Sequence, residues 1–172
     1  MLTTTERSIM GYSDVSSLLW REREALQLLL FKIVSEQLIV SAGQTRWLAR
    51  ANDEIEQALT ELRTTDVLRA AEVDALAEEL GLANAPSLAE LSERAEEPWA
   101  TIFTDHRAEL LSLVGEVEQA SEDVRCLLSA GAQAMRDTLL SITRTANTSD
   151  SKSPTASMTS AGAEPLLMDE QA

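Results

Sequence analysis

Hydrophobic residues are most concentrated between Leu18 and Val40, where LLWREREALQLLLFKIVSEQLIV carries its charges first and its apolar residues afterwards. Arg21, Glu22, Arg23 and Glu24 crowd the first half. From Leu28 onward, Leu29, Leu30, Phe31, Ile33, Val34, Leu38, Ile39 and Val40 surround a helix on nearly every side. A single buried stripe would leave half of them in water, so this helix is expected to be covered from at least two directions. Lys32, Ser35, Glu36 and Gln37 interrupt the run, which falls short of the ~20 apolar residues that span a bilayer. Leu19, Leu26, Ile33 and Val40 recur every seven residues, a seam of coiled-coil type. The stretch predicts the central helix of a bundle, opened by Ser13 or Asp14 as N-cap and stopped at Gly43.

The connection at Ala42–Gln44 is short, so the next helix must fold back antiparallel. It starts near Thr45, and its inner stripe is Leu48, Ala51, Ile55, Ala58 or Leu59, and Leu62. Trp47, beside the turn, is placed to cover the end of the core. The phase slips at Thr64-Thr65-Asp66, which predicts a kink or a new N-cap. Helical spacing resumes through Val67, Ala70, Val73, Leu76 or Ala77, and Leu80, and Gly81 ends it. Asn84-Ala85-Pro86 reads as a linker. Ser87 with Glu90 is a capping box that opens a short helix reaching about Ala95, and Pro98 suits the first position of the next.

From Trp99 the last helix is long and regular. Phe103, His106, Leu110, Leu113, Val117, Ala120, Val124, Leu127, Gly131, Ala134 and Thr138 follow at steps of three and four. Beyond Thr143 the chain turns to Ser, Thr, Ala and Gly without periodicity, a disordered composition, with Leu166-Leu167-Met168 among acids near its end. The expected class is all-α: an antiparallel bundle of three long helices plus one short helix, with coiled-coil-like packing and a disordered tail. Residues 1–13 form a flexible lead, 14–144 the bundle and 145–172 the tail.

Composition agrees with this class. Hydrophobic residues make up 44% of the 172 but aromatics only 3%, so leucine and alanine must build the core. There are 29 acids against 14 bases, a net charge of −15. Such a surface repels nucleic acid and anionic membranes, since phosphate binding depends on clustered Lys and Arg. Cys126 has no second cysteine to pair with, and is expected to pack as a small apolar residue in a reducing compartment. The opening MLTTTERSIM lacks the basic start and apolar core of a secretory leader, so a cytoplasmic chain is expected.

No catalytic constellation emerges. His106 is the sole histidine, lies on the inward stripe and has no second ligand at i+4, which points to packing or capping. One His and one Cys twenty residues apart make neither a metal site nor a nucleophile–base pair. The pairs Glu78-Glu79, Glu96-Glu97 and Glu122-Asp123 read as solvated faces, and there is no glycine-rich phosphate loop. The expectation is a protein that is not an enzyme and needs no cofactor or metal.

A mismatch of lengths carries the functional signal. The first helix so delimited is roughly 42 Å long, the second about 54 Å and the last roughly 70 Å. The final turns of the last helix would then lack an internal partner, although their apolar stripe continues through Val124, Leu127, Leu128, Met135, Leu139 and Ile142. An uncovered amphipathic helix is a partner-binding surface or a homodimer seam, unless a bend folds it back on its own bundle. Met135, unbranched and polarisable, suits an adaptable groove. A regulatory adaptor that docks through Leu166-Leu167-Met168 is a further reading.

Several blocks resemble the FlgN-type flagellar export chaperones: LWREREALQLLLFKI (Leu19–Ile33), EQLIVSAG with TRWLARANDEIE (Thr45–Glu56), and EPWATI with DHRAELL (Glu97–Ile102, Asp105–Leu111). The resemblance covers roughly residues 15–145. It implies a cytoplasmic, all-helical type III secretion chaperone. Such a protein shields the C-terminal amphipathic helices of hook–filament junction subunits and delivers them to the export gate. The family binds cargo with its C-terminal helical part, which on this chain corresponds to Val124, Leu127, Leu128, Met135, Leu139 and Ile142.

Overall fold

The computed structural model describes residues 4–83 and 85–150, with side chains from 9 to 83 and 85 to 145. It is all-α. Among the described residues four helices follow in order: α1 (Thr4–Ser41), α2 (Leu48–Leu80), α3 (Leu88–Arg94) and α4 (Trp99–Asp150). A single 3-10 turn, Thr45–Trp47, joins α1 to α2. The three long helices pack with consecutive members antiparallel. Lys32 meets Glu54 and Glu22 meets Arg69, so α2 runs against α1. Ser16 meets His106 and Arg23 meets Glu109, so α4 runs alongside α1 in the same direction.

The packing falls into two apolar clusters. At one end Tyr12, Val15 and Leu19 of α1 meet Val73 and Leu76 of α2, Leu91 of α3 and Phe103 of α4. The Tyr12 ring lies 5.9 Å from that of Trp99 and 5.8 Å from that of Phe103. At the other end Leu29 and Ile33 of α1 pack with Ala58 of α2 and with Ala120 and Val124 of α4. The central helix is thus covered from two directions, as its pattern requires, while Leu28, Phe31 and Leu38 stay in solvent.

Helix α1 starts at Thr4, ahead of the expected cap at Ser13 or Asp14. Upstream of that cap Tyr12 is buried, whereas Ile9 and Met10 are exposed. Gly11 lies where an added Cβ would come within 3.0 Å of Leu76. A side chain there would press on the end of Leu76, which would have to give by a few tenths of an ångström. The far end matches expectation: Gly43 takes a φ of 65° and the Gln44 N–H donates to the Ile39 carbonyl at 3.0 Å. Gly81 ends α2 with a φ of 66°, its N–H turned back to Ala77 and Glu78.

Helix α2 is unbroken at Thr65, so the new N-cap expected there does not form. The inner stripe runs Ala58, Leu62, Thr65, Arg69, Val73, Leu76, Leu80, and two of its positions are polar. Thr65 is buried and donates to the Glu61 carbonyl at 3.1 Å. Arg69 spans to Glu22 at 2.6 Å and to Asp66. The apolar Val67 and the small Ala70, expected inside, face water. Burial raises the Glu22 carboxyl, with Asp66 adding to the rise and Arg69 opposing it.

The connection to α4 is tied at both ends. The Ala85 N–H donates to the Asp74 carboxylate at 2.7 Å. Ser87 and Glu90 form the predicted reciprocal box: the Glu90 N–H donates to Ser87 Oγ at 3.2 Å and the Ser87 N–H to Glu90 Oε2 at 2.7 Å. That box starts α3 so that Leu91 is fully buried. Pro98 directly precedes α4, and its carbonyl accepts from the Ile102 N–H at 3.1 Å. The α4 helix itself continues to Asp150, beyond the Thr143 boundary read from composition. The expected disorder of 151–172 and the Leu166-Leu167-Met168 motif lie outside the described residues.

Candidate functional site

Contacts divide the chain into two units, residues 1–131 and 132–172. Within the first, the inward stripe of α4 is occupied as its spacing predicts. Phe103, His106, Leu113, Ala120 and Val124 are buried, and Leu110, Val117 and Leu127 partly so. His106 packs: its Nε2 lies 3.1 Å from Ser16 Oγ, and Trp20 meets its ring edge-on at 5.4 Å. Burial, reinforced by Arg23, holds the imidazole below the usual histidine range, against Glu109 and Asp105. The enclosed ring, with Ser16 and Trp20 against it, packs as part of the core. Cys126, expected to pack as a small apolar residue, is instead exposed, because it lies off the inward stripe.

The candidate cargo residues divide. Val124 is internal, enclosed with Leu29, Ile33, Ala58 and Ala120. Leu127 is half-buried on the same inward stripe. Leu128 is 43% exposed and shares with Val124 the wall of a cleft of about 280 Å³ between α1, α2 and α4. Leu29, Ile33, Ile55 and Leu59 supply its apolar lining, with Glu36 and Arg125 at its polar edges. Burial raises the Glu36 carboxyl. Ile55 and Leu59 belong to the expected α2 stripe; their part in this cleft follows only from how α2 sits against α4.

The second unit is taken by itself. Its helical part is the end of α4, and every described side chain from Ala132 to Thr145 is exposed. Met135, Leu139, Leu140 and Ile142 are all more than half exposed. Met135, Leu139 and Ile142 follow at steps of four and three, so they share one face. Polar side chains here bond within the helix: Gln133 donates to Asp137 at 3.0 Å, Arg136 to Gln133 at 3.1 Å, and Thr138 and Thr143 to the carbonyls of Ala134 and Leu139. Local charge also departs from the rest of the chain. Between Leu127 and Thr145 the one acid is Asp137, against Arg136 and Arg144, in a protein of net charge −15. The segment therefore offers an apolar face of low charge with its hydrogen-bonding groups already satisfied locally.

Among the described residues no group of three His, Cys, Asp or Glu side chains stands together as a metal site. No described helix is long and apolar enough to cross a membrane.

The model of the FlgN protein family matches residues 10–158 of this sequence. The chain belongs to the FlgN family. Membership implies a flagellar export chaperone for hook-associated proteins, in a family of chaperones rather than enzymes. No curated protein and no solved structure gives a significant match. The matched span takes in both packed clusters and all of α4, so the family likeness includes the exposed segment as well as the core.

Proposed function

We propose that this FlgN-family protein is a cytoplasmic chaperone that holds the C-terminal amphipathic helices of hook–filament junction subunits and hands them to the export gate. Cargo lies over Met135, Leu139 and Ile142 at the end of α4; within residues 1–131, Leu127, Leu128 and the cleft beside Val124 offer a second contact of their own. The observation that carries this reading is the run of exposed, nearly uncharged apolar side chains on α4. A helix that polymerises through its apolar face is complementary to such a stripe, and the stripe keeps it unassembled by covering that face. Burial stabilises the complex at about 25 cal/mol per Å², less the cost of ordering both segments. The residual affinity is moderate, which suits a cargo that must be surrendered. The chaperone itself needs no nucleotide or metal.

The test is size-exclusion chromatography with light scattering, with and without a C-terminal helical peptide of a junction subunit. Met135→Asp/Leu139→Asp is the variant of choice, because both side chains are exposed and the bundle should tolerate the change. A complex formed by the native protein and lost in the variant supports the reading. A native dimer that ignores the peptide and dissociates in the variant would make the stripe an oligomer seam and sink it.

A further inference from the structure

A second surface, wholly within residues 1–131, lies where α1 turns into α2. Here Lys32, Ser35 and Ile39 of α1 face Trp47, Arg50, Ala51 and Glu54 across a cleft of about 320 Å³. Such a volume is at the low end for binding clefts and has room for an anchoring side chain or two. Its rim is aromatic and apolar. Trp47, expected to close the end of the core, is 46% exposed, and Phe31 and Leu38 are 62% and 65% exposed. Phe31, Ser35 and Leu38 follow at steps of four and three, so Phe31 and Leu38 lie on α1 beside Ser35 of the cleft wall.

The lining of this cleft carries two bases, Lys32 and Arg50, against one acid, Glu54, with Asp53 and Glu56 close by on α2. From Phe31 to Asn52 the sequence carries three bases, Lys32, Arg46 and Arg50, and a single acid, Glu36. Glu36 is buried and lines the other cleft. The cations lie against the apolar rim: Lys32 Nζ is 5.6 Å from the Phe31 ring centre, and the Arg46 guanidinium 5.2 Å from that of Trp47. One carboxylate enters from α2. Glu54 accepts from Lys32 at 2.8 Å and from Arg50 at 3.0 Å, bonds that hold its carboxyl below the usual range. One acid between two bases leaves the cluster positive, and Arg46 adds to it. The pairing also fixes the two cations at the cleft wall.

We propose that this cleft is a docking site for an acidic, leucine-rich segment of a partner protein, separate from the α4 face. A leucine of that segment enters between Ile39, Trp47 and Ala51, while flanking carboxylates meet Arg46, Arg50 and Lys32. Charge complementarity selects this occupant. A basic helix lacks the charge that matches Arg46, Arg50 and Lys32, whereas an acidic and apolar segment supplies both components. The strongly acidic parts of the chain repel such a segment, so the cations at the cleft give the docking its direction.

The experiment is isothermal titration of the full-length protein with a short synthetic peptide of alternating Leu and Glu pairs, and with its Leu/Lys counterpart. The expected result is binding of the acidic peptide alone, weakened by salt. Arg46→Glu/Arg50→Glu should weaken it roughly tenfold, the worth of two exposed charge pairs. Trp47→Ala, which leaves the charges in place, should also weaken it, and Met135→Asp/Leu139→Asp should leave it unchanged. Equal binding of both peptides, binding of neither, or loss only in the α4 variant overturns the proposal. So does tighter binding after removal of residues 151–172, which would make the chain's own acidic end the occupant.

Discussion

Valine to aspartate at position 124 and leucine to aspartate at position 139 apply nearly the same chemical change at two places on one helix, and the structure assigns them very different costs. Val124 is 6% exposed and enclosed by Leu29, Ile33, Ala58 and Ala120. A carboxylate there forfeits about 1.5 kcal/mol of apolar burial. It must then be desolvated as an anion or protonated well above its usual range, at a cost of several kcal/mol. The total of about 4 kcal/mol or more is a large part of the 5–15 kcal/mol that typically holds a domain together. Leu139 is 60% exposed, so its aspartate stays in water and loses mainly helix propensity, roughly 0.5 kcal/mol. Urea unfolding followed by far-ultraviolet circular dichroism measures both. Val124→Asp should shift the transition far towards low urea, or abolish it, and Leu139→Asp should move it by no more than about 1 kcal/mol. If Leu139→Asp costs as much as Val124→Asp, the end of α4 is packed in solution, and the reasoning that makes it an open face fails.

Because burial and Arg23 lower His106 below its ordinary value of 6.5, the unfolded chain takes up the proton first as pH falls. Stability should be full above that value and decline below it; His106→Gln should remove this slope from a profile of urea midpoint against pH, while the raised carboxyls of Glu22 and Glu36 act in the opposite sense nearer the carboxylate range. Ser87→Ala removes one half of the capping box that starts α3 and should cost about 1 kcal/mol, read as a lower thermal midpoint.

The class of fold was legible because periodicity is a local property. The heptad through Leu19, Leu26 and Ile33, the steps from Phe103 to Leu127, the stops at Gly43 and Gly81 and the Ser87–Glu90 box each depend on residues within two or three turns. All of them stand in the structure. Where one stripe passes through a polar residue, the pattern misleads. Thr65 and Arg69 occupy inner positions of α2, the first bonded to the Glu61 carbonyl and the second ion-paired with Glu22, so an unbroken helix reads as a phase slip. Glu22 lies forty-seven residues from Arg69 in sequence, and no local window contains both. The approach of Leu76 from α2 to Gly11 is hidden for the same reason.

For the candidate surfaces, the sequence alone determined that the last helix carries an apolar stripe through Val124, Leu127, Leu128, Met135, Leu139 and Ile142, because spacing is counted along the chain. Which of the stripe's residues face inward was decided by tertiary structure. Val124 and Leu127 turn towards the bundle, while Met135, Leu139 and Ile142 are exposed, although all five are apolar. The cationic cleft was likewise invisible, although each of its residues stands in the sequence. Lys32 and Ser35 are brought against Arg50 and Glu54 only when the turn at Gly43 folds α2 back on α1. Charge on a folded surface depends on distances across space, and those exist only once the helices have packed.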